Sequence, residues 1–435
     1  MSFLENQVHW ELEHIGYPEE WVKEEKECLQ VAIIGAGMAG IAAGYGLLRL
    51  GIHNIALFDA ANEGEEGPWI TYAKMQTLRS PKNATGPSLF TPSLTFQAWY
   101  EANYGTEAWV NLEKATPNEW ANYLFWLRTI LKLPVKNNYH LQAIIPLEDG
   151  RFLLRFEGKE AVITKKVILA TGRKGFELPY FLQKIPKHFF AHTSEIRDYS
   201  IFEGKNIVVI GCGTSAFDAA GAALEAGASS INLLFRKKEL SPVNKLDALA
   251  HVGVEQGFHL LSDEWRYKIM HYIDQCGTPP TEEAISRLKP FSQFNLCPET
   301  NILYITTERN KLKIYTNKKN YFSDFIILAT GYSVTSPEAN KFDILLWKDQ
   351  IKRQESLGNF PYLGPHFQYL EKSPGSAPYL KHLYCFNYGA LVSHGLVSCS
   401  IDAISTGAIR LTQGIAADFF MESIEEFYLE LQNYE

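Results

Sequence analysis

Two short runs carry opposite charges at matching points of the chain. IALFDA (residues 55–60) closes a β-type run on Asp59, and INLLFRKK (231–238) closes another on Arg236, Lys237 and Lys238. Each run follows a glycine-rich turn and a stretch of small helix formers. A carboxylate at such a strand end accepts hydrogen bonds from the 2′- and 3′-hydroxyls of an adenosine ribose, whereas a guanidinium neutralises a 2′-phosphate. Asp59 therefore predicts an unphosphorylated adenosine, as in FAD or NAD. Arg236, with Lys237 beside it, predicts NADP, and Lys238 reads as solvated charge.

The turns ahead of these runs belong to a repeated unit. VAIIGAGMAGIAAGYGLLRLGIHNIALFDA spans 31–60, and IVVIGCGTSAFDAAGAALEAGASSINLLFRK spans 207–237. Gly35 and Gly211 permit a tight turn, Gly37 and Gly213 let the backbone approach a pyrophosphate, and Gly40 and Ala216 hold the helix against the strand. The pyrophosphate then rests on free amides at the helix start, Met38 to Gly40 (with Ala39) in one unit and Thr214, Ser215 and Ala216 in the other. In both units a further glycine, Gly51 or Gly227, lies sixteen positions after the first glycine of the turn, where a helix stops. Each unit is followed by its own β-run closing on A-T-G, KKVILATGR (165–173) and FIILATGY (325–332), which places Thr171, Gly172, Thr330 and Gly331 close to the cofactors.

The order GAGMAG, ATGR, GCGTSA, ATGY resembles the two-dinucleotide flavoproteins, and more narrowly the class B flavoprotein monooxygenases, over about residues 30 to 420. That group includes flavin-containing, Baeyer–Villiger and N-hydroxylating monooxygenases. The resemblance implies FAD in the first unit and NADPH in the second. It implies an NADPH-dependent monooxygenase in which reduced flavin adds O2 to give a C4a-(hydro)peroxyflavin, which then oxygenates a nitrogen, a sulfur or a ketone of a small or medium organic substrate. Gly67-Pro68-Trp69 is similar to the G-G-x-W segment that approaches the flavin ring, with Pro68 in place of the second glycine, and makes Trp69 a cofactor contact. Arg79 and Ser80 fall where such enzymes place polar residues near the reactive flavin edge. LYCFNYGALVSHGLVSCSIDAISTGAIRLTQGI (383–415) resembles the last FAD-contacting strand and helix, which makes Asn387, with Tyr388, an active-site candidate. The substrate-binding lysine of the N-hydroxylating F-L-K-D stretch has no counterpart here. The F-x-G-x-x-x-H fingerprint of the other subclasses is also unmet, although His192 is present as a linker histidine.

These elements have to be carried by an α/β chain of two Rossmann-like dinucleotide-binding domains, the second inserted in the first. The expected parts are an FAD domain over 1–180, an NADPH domain over 181–332 with a helical insertion at about 245–290, and a C-terminal FAD part over 333–435. At 435 residues the chain exceeds one hydrophobic core. The net charge of −8 argues against a nucleic-acid surface. The apolar stretch from Val31 to Ile52 holds six glycines and Arg49, so it reads as strand, turn and helix rather than as a membrane span. No secretory leader is read in the acidic N-terminus, and six scattered cysteines without C-x-x-C suit a reducing, cytoplasmic setting. Their scatter also removes a flavin-side dithiol. No metal site is expected. The expected partners are a small-molecule substrate and O2, with neither nucleic acid nor membrane, and a homodimer stays open.

Two other readings remain at this level. One is an NADPH-dependent flavin reductase or oxidase that yields H2O2. The other is a non-catalytic FAD redox sensor that binds a partner through an acidic N-terminal helix, read over 4–27. Twelve aromatics between 69 and 126 are read chiefly as core, and the helical insertion is read either as a lid or as surface packing.

Overall fold

A computed structural model describes residues 1–173, 175–333, 351–354 and 359–434. Segment 334–350, at the head of the expected C-terminal part, lies outside the described residues. Strands β1 (Cys28–Ile34), β2 (Ile55–Phe58), β3 (Val135–Lys136), β4 (Leu141–Pro146), β5 (Phe152–Phe156) and β6 (Val162–Leu169) lie in the order β3-β2-β1-β6-β5-β4. Strands β7 (Phe190–His192), β8 (Asn206–Ile210), β9 (Ser230–Leu234) and β10 (Phe294–Cys297) come next in the chain. A meander of β11 (Ile302–Glu308), β12 (Lys311–Thr316) and β13 (Tyr321–Ser323) leads into β14 (Phe325–Leu328). The second sheet runs β10-β9-β8-β14-β7, and every pairing in it is parallel. After the short pair β15 (Arg353–Gln354) and β16 (Phe360–Pro361), strand β17 (Leu383–Cys385) returns to the first sheet. It pairs with Val167 to Leu169 of β6, beyond the point where β5 leaves that strand at Thr164. The first sheet is thus built from chain on both sides of the second.

Helix α1 (Ser2–Ile15) ends at Gly16, which takes a left-handed φ of 62°, and Pro18 follows. The acidic helix read over 4–27 therefore stops at residue 15. It is also anchored, because Leu4 and Val8 are buried in the main core. Helix α2 (Met38–Leu48) is enclosed on nearly every side, as its small residues require. A β-carbon on Gly46 would stand 2.9 Å from Thr412, so the glycine sets how closely the helix Ile404–Glu422 approaches. Helices α3 (Phe96–Tyr104), α4 (Thr106–Asn111) and α5 (Pro117–Ile130) hold most of the aromatic stretch. The Phe96 ring lies 5.5 Å from both Trp120 and Tyr123, and all three are buried. Burial of each is worth about 1.5–3 kcal/mol, so the aromatic excess serves chiefly as core.

Helix α6 (Thr214–Glu225) is the second nucleotide helix, followed by α7 (Val252–Gly257), α8 (Asp263–Cys276) and α9 (Glu282–Leu288). The chain closes with α10 (Leu391–His394), α11 (Ile404–Glu422) and α12 (Ile424–Gln432). The insertion does more than cover the second domain. Leu249 and Phe258 pack on Leu391 and Leu396. Thr406 donates to the Glu255 carboxylate at 2.8 Å, and Arg410 donates to the Glu255 carbonyl at 2.6 Å. Tyr362 donates to Asp263 at 2.7 Å. The insertion is seated on the C-terminal segment.

Candidate functional site

Two equivalent cradles stand at the C-terminal ends of β1 and β8. In the first, Gly35 has φ 106°, and the Ala170 carbonyl oxygen lies 2.4 Å from where its β-carbon would be. In the second, Gly211 has φ 139° and meets the Ala329 carbonyl oxygen in the same way at 2.3 Å. Only glycine tolerates both the left-handed backbone and that approach. A β-carbon on Gly40 would come within 1.9 Å of the Gly35 carbonyl oxygen, so the third glycine is what seats α2 on its turn. Both helices begin on a glycine, Gly37 or Gly213, with no side-chain cap. Helices α3, α5, α8 and α9, by contrast, are capped by Thr95, Thr116, Ser262 and Thr281. Uncapped amides at the positive end of a helix dipole suit an anionic diphosphate.

The strand-end charges differ in how they are held. Asp59 is half-buried, with one oxygen accepting from the Ala36 amide at 2.7 Å and the other from the Ala61 amide at 2.8 Å. The carboxylate is fixed against the glycine turn and keeps further lone pairs for hydroxyl donors. Arg236 is exposed, and among the described residues no acid pairs with it. Lys237 is spoken for: its ammonium donates to the carbonyls of Cys276 at 2.9 Å and Gln275 at 3.4 Å, closing the C-terminus of α8. Of the two expected 2′-phosphate ligands, then, only Arg236 has its donors free. Trp69 is half-buried with its ring edge-on to Trp120 at 6.1 Å, and Gly67 lies 3.8 Å from a β-carbon on Gly37, so the G-P-W segment lines the first cradle.

Between the cradles several segments converge. Ser80 donates to Asp402 at 3.0 Å, and Ser400 donates to the same carboxylate at 3.2 Å, which ties the segment after Trp69 to the head of α11. Arg79 keeps exposed surface as a residue, but desolvation of its guanidinium lowers the pKa, opposed by the nearby Asp218. Asp218, on α6, is buried, and desolvation lifts its carboxyl to about 6 against the pull of Arg79 and Arg287. Arg287 links the domains, donating to Glu225 at 2.6 Å and to the Lys74 carbonyl at 2.6 Å. The G-T-P-P breakers also reach this region, since Thr214 donates to the Pro279 carbonyl at 3.1 Å.

Asn387 sits beside the first A-T-G turn, but its polar atoms are committed. Its amide nitrogen donates to the Leu169 carbonyl at 2.9 Å and to the Thr171 hydroxyl at 3.2 Å, and its oxygen accepts from the Gly389 amide at 2.8 Å. These bonds lock β17 to the end of β6 beside the first A-T-G turn. His192 is committed in the same way. It is buried, with Nε2 at 3.1 Å from the Gly331 carbonyl and Nδ1 at 2.8 Å from the Ser194 hydroxyl, and burial drops its pKa to about 4. Sequence reading did not single out Asp218 and Arg287, nor the cleft residues Arg173 and Tyr332. Arg173 and Tyr332 were in view as the residues after A-T-G in each copy, and their chemical types were the signal.

Residues 32–254 match the pyridine nucleotide-disulphide oxidoreductase family. The chain is 32% identical to an FAD-dependent urate hydroxylase of Xanthomonas campestris, over 97% of this chain and 93% of the relative. An ornithine hydroxylase of Pseudomonas aeruginosa has the same fold, with a TM-score of 0.73, 14% identity, and 90% and 99% of the two chains covered. An ornithine N-hydroxylase of Kutzneria, in a structure with reduced FAD, NADP+ and L-ornithine, superposes with a TM-score of 0.71 at 14% identity, over 90% of this chain and 99% of the other. Among the described residues no helix is long and apolar enough to cross a membrane.

Proposed function

This chain belongs to the pyridine nucleotide-disulphide oxidoreductase family, and from that premise we propose that it is an NADPH-dependent FAD monooxygenase acting on a small organic substrate. The observation that carries the reading is the duplicated cradle with opposite charges at its two strand ends, Asp59 in one copy and Arg236 in the other. Gly35, Gly37, the amides of Met38 to Gly40, Asp59, Trp69, Thr171 and Gly172 fit an FAD. Gly211, Gly213, the amides of Thr214 to Ala216, Arg236, Thr330 and Gly331 fit an NADPH. Bound together, the two cofactors would supply hydride transfer and O2 activation.

The chain's own contribution is to bind, orient and exclude. Asn387 and the Ala170 and Ala329 carbonyls hold the two turns in register with their return strands. The insertion, pinned through Glu255 to α11, would help exclude water from the space between the bound cofactors. Arg79, kept beside Asp218, is a cation at the NADPH side of that space. Urate, the compound named for the Xanthomonas relative, is the first substrate to test. The deciding experiment reconstitutes the protein with FAD, bleaches the flavin with NADPH without air, and then admits ¹⁸O2 with substrate. Isotope in the organic product supports the reading. One H2O2 per NADPH with no labelled product would make the protein an oxidase, and failure of NADPH to bleach the flavin would leave a sensor.

A further inference from the structure

Arg173 follows the first A-T-G turn and is exposed to the cleft. Its guanidinium carbon stands 5.0 Å from the centre of the Tyr388 ring, and the Cys399 thiol is a near neighbour. Among the described residues no carboxylate lies within ion-pairing distance of it. Tyr332, which follows the second A-T-G, has its ring 5.3 Å from that of His192, and its phenol is near enough to Arg173, Arg79 and Tyr72 to feel all three. The Tyr388 amide donates to the Gly172 carbonyl at 3.2 Å, so ring and guanidinium are set by the same turn. Phe360 closes the far side of Tyr388 with a ring separation of 5.8 Å.

The two cleft arginines differ in one respect. Neither has a carboxylate within ion-pairing distance among the described residues, but Arg79 feels the charge of Asp218, whereas the groups around Arg173 are phenols and a thiol, neutral near pH 7. A cation held among aromatic faces, without a counter-ion and next to a second cation, is a receptor for negative charge. The flanking phenols offer flat surfaces and hydroxyl donors.

We propose that Arg173, with Tyr332 and Tyr388 beside it, is the substrate-recognition site, and that the substrate is a planar organic anion. This rests on the monooxygenase reading and deepens it. The negative group of the substrate meets the Arg173 fork, and its ring lies against the phenol faces. Arg79 stays on the coenzyme side with Asp218.

The test uses the FAD- and NADP+-loaded protein and two pairs of flat compounds near neutral pH, each an anion and a neutral partner: benzoate against the near-isosteric benzamide, and urate against its bulkier, fully N-methylated, uncharged counterpart. Binding is read by the change in flavin fluorescence. Wild type is expected to prefer the anion of each pair about tenfold or more, the size of a charge-assisted contact. Arg173→Met should bring each ratio within about twofold, and Arg173→Lys should restore part of it. A wild type that binds neither pair, or shows no preference, overturns the proposal. So does an Arg173→Met protein in which anion and neutral partner weaken together, since a residue serving coenzyme or packing would lower both alike. The underlying reading fails separately, by absence of flavin or by no bleaching with NADPH in the same samples.

Discussion

The carbonyl oxygen of Ala170 lies 2.4 Å from where a β-carbon on Gly35 would stand, and the pair Ala329 and Gly211 repeats this at 2.3 Å. Each A-T-G strand is therefore gauged against the first glycine of its own turn, and the two gauges are independent. Gly35→Ala forces the return strand away and asks alanine for a φ of 106°. It should cost about 2–4 kcal/mol and yield a protein with little flavin. Gly211→Ala should instead leave the protein yellow while its reduction by NADPH weakens. Absorbance spectra of the two purified variants check this, and equal flavin loss in both would refute the independence.

Arg236 and Lys237 are adjacent in sequence but differ in commitment. Arg236→Ala should raise the KM for NADPH about 10- to 100-fold, the loss expected for charged hydrogen bonds, and change NADH use by no more than about twofold. Lys237→Met should act mainly through α8, because its ammonium holds the carbonyls of Gln275 and Cys276. Its signature is a lower melting temperature with a smaller rise in the KM for NADPH. Steady-state kinetics with both coenzymes, paired with thermal melts, separate the two.

Asn387 makes hydrogen bonds to Leu169, Thr171 and Gly389 that together link β17 to the first cradle. Asn387→Ala gives these up and should cost about 2–4 kcal/mol at roughly 1 kcal/mol each plus the groups left unpaired. Flavin content should fall more steeply than turnover per bound flavin. If turnover per flavin collapsed while flavin content held, Asn387 would be touching the reacting atoms after all.

Local sequence carried the cradles because their physics is local. A strand, a glycine turn, a small-residue helix and a charged strand end each leave a mark within thirty residues, and Gly35, Gly40, Asp59, Gly211 and Arg236 all stand where such marks put them. What lies between the cradles is set by tertiary approach and left no local mark. Arg287 reaches the carbonyl of Lys74, and Thr77 donates to Glu283 at 2.6 Å, across more than two hundred residues. The seat of the insertion on Leu391, Leu396 and Arg410 is equally long-range. Asn387 was visible as a polar residue in an apolar strand end. Its partners, which decide its role, were not.

Acid should unfold this protein through its buried histidines. His192 and His394 are both 1% exposed. Burial depresses the pKa of His192 to about 4 and that of His394 to about 3. His394 lies between the Phe367 ring at 4.0 Å and the His259 ring at 5.8 Å, with Arg410 and Arg266 as further positive neighbours and only the Pro365 carbonyl accepting from Nε2. Both side chains are neutral in the fold and titrate near 6.5 once unfolded, so between these values the unfolded chain binds more protons. Their contribution is complete above about pH 6.5 and is lost as pH falls towards the folded pKa values, at about 1.4 kcal/mol per pH unit for each group. The melting temperature should hold between pH 7 and 8 and drop steadily below pH 6. His394→Phe removes one of these protons, so its melting temperature should fall less between pH 7 and 5 than that of wild type. An unchanged slope would mean that the His394 site opens to water before the rest of the fold.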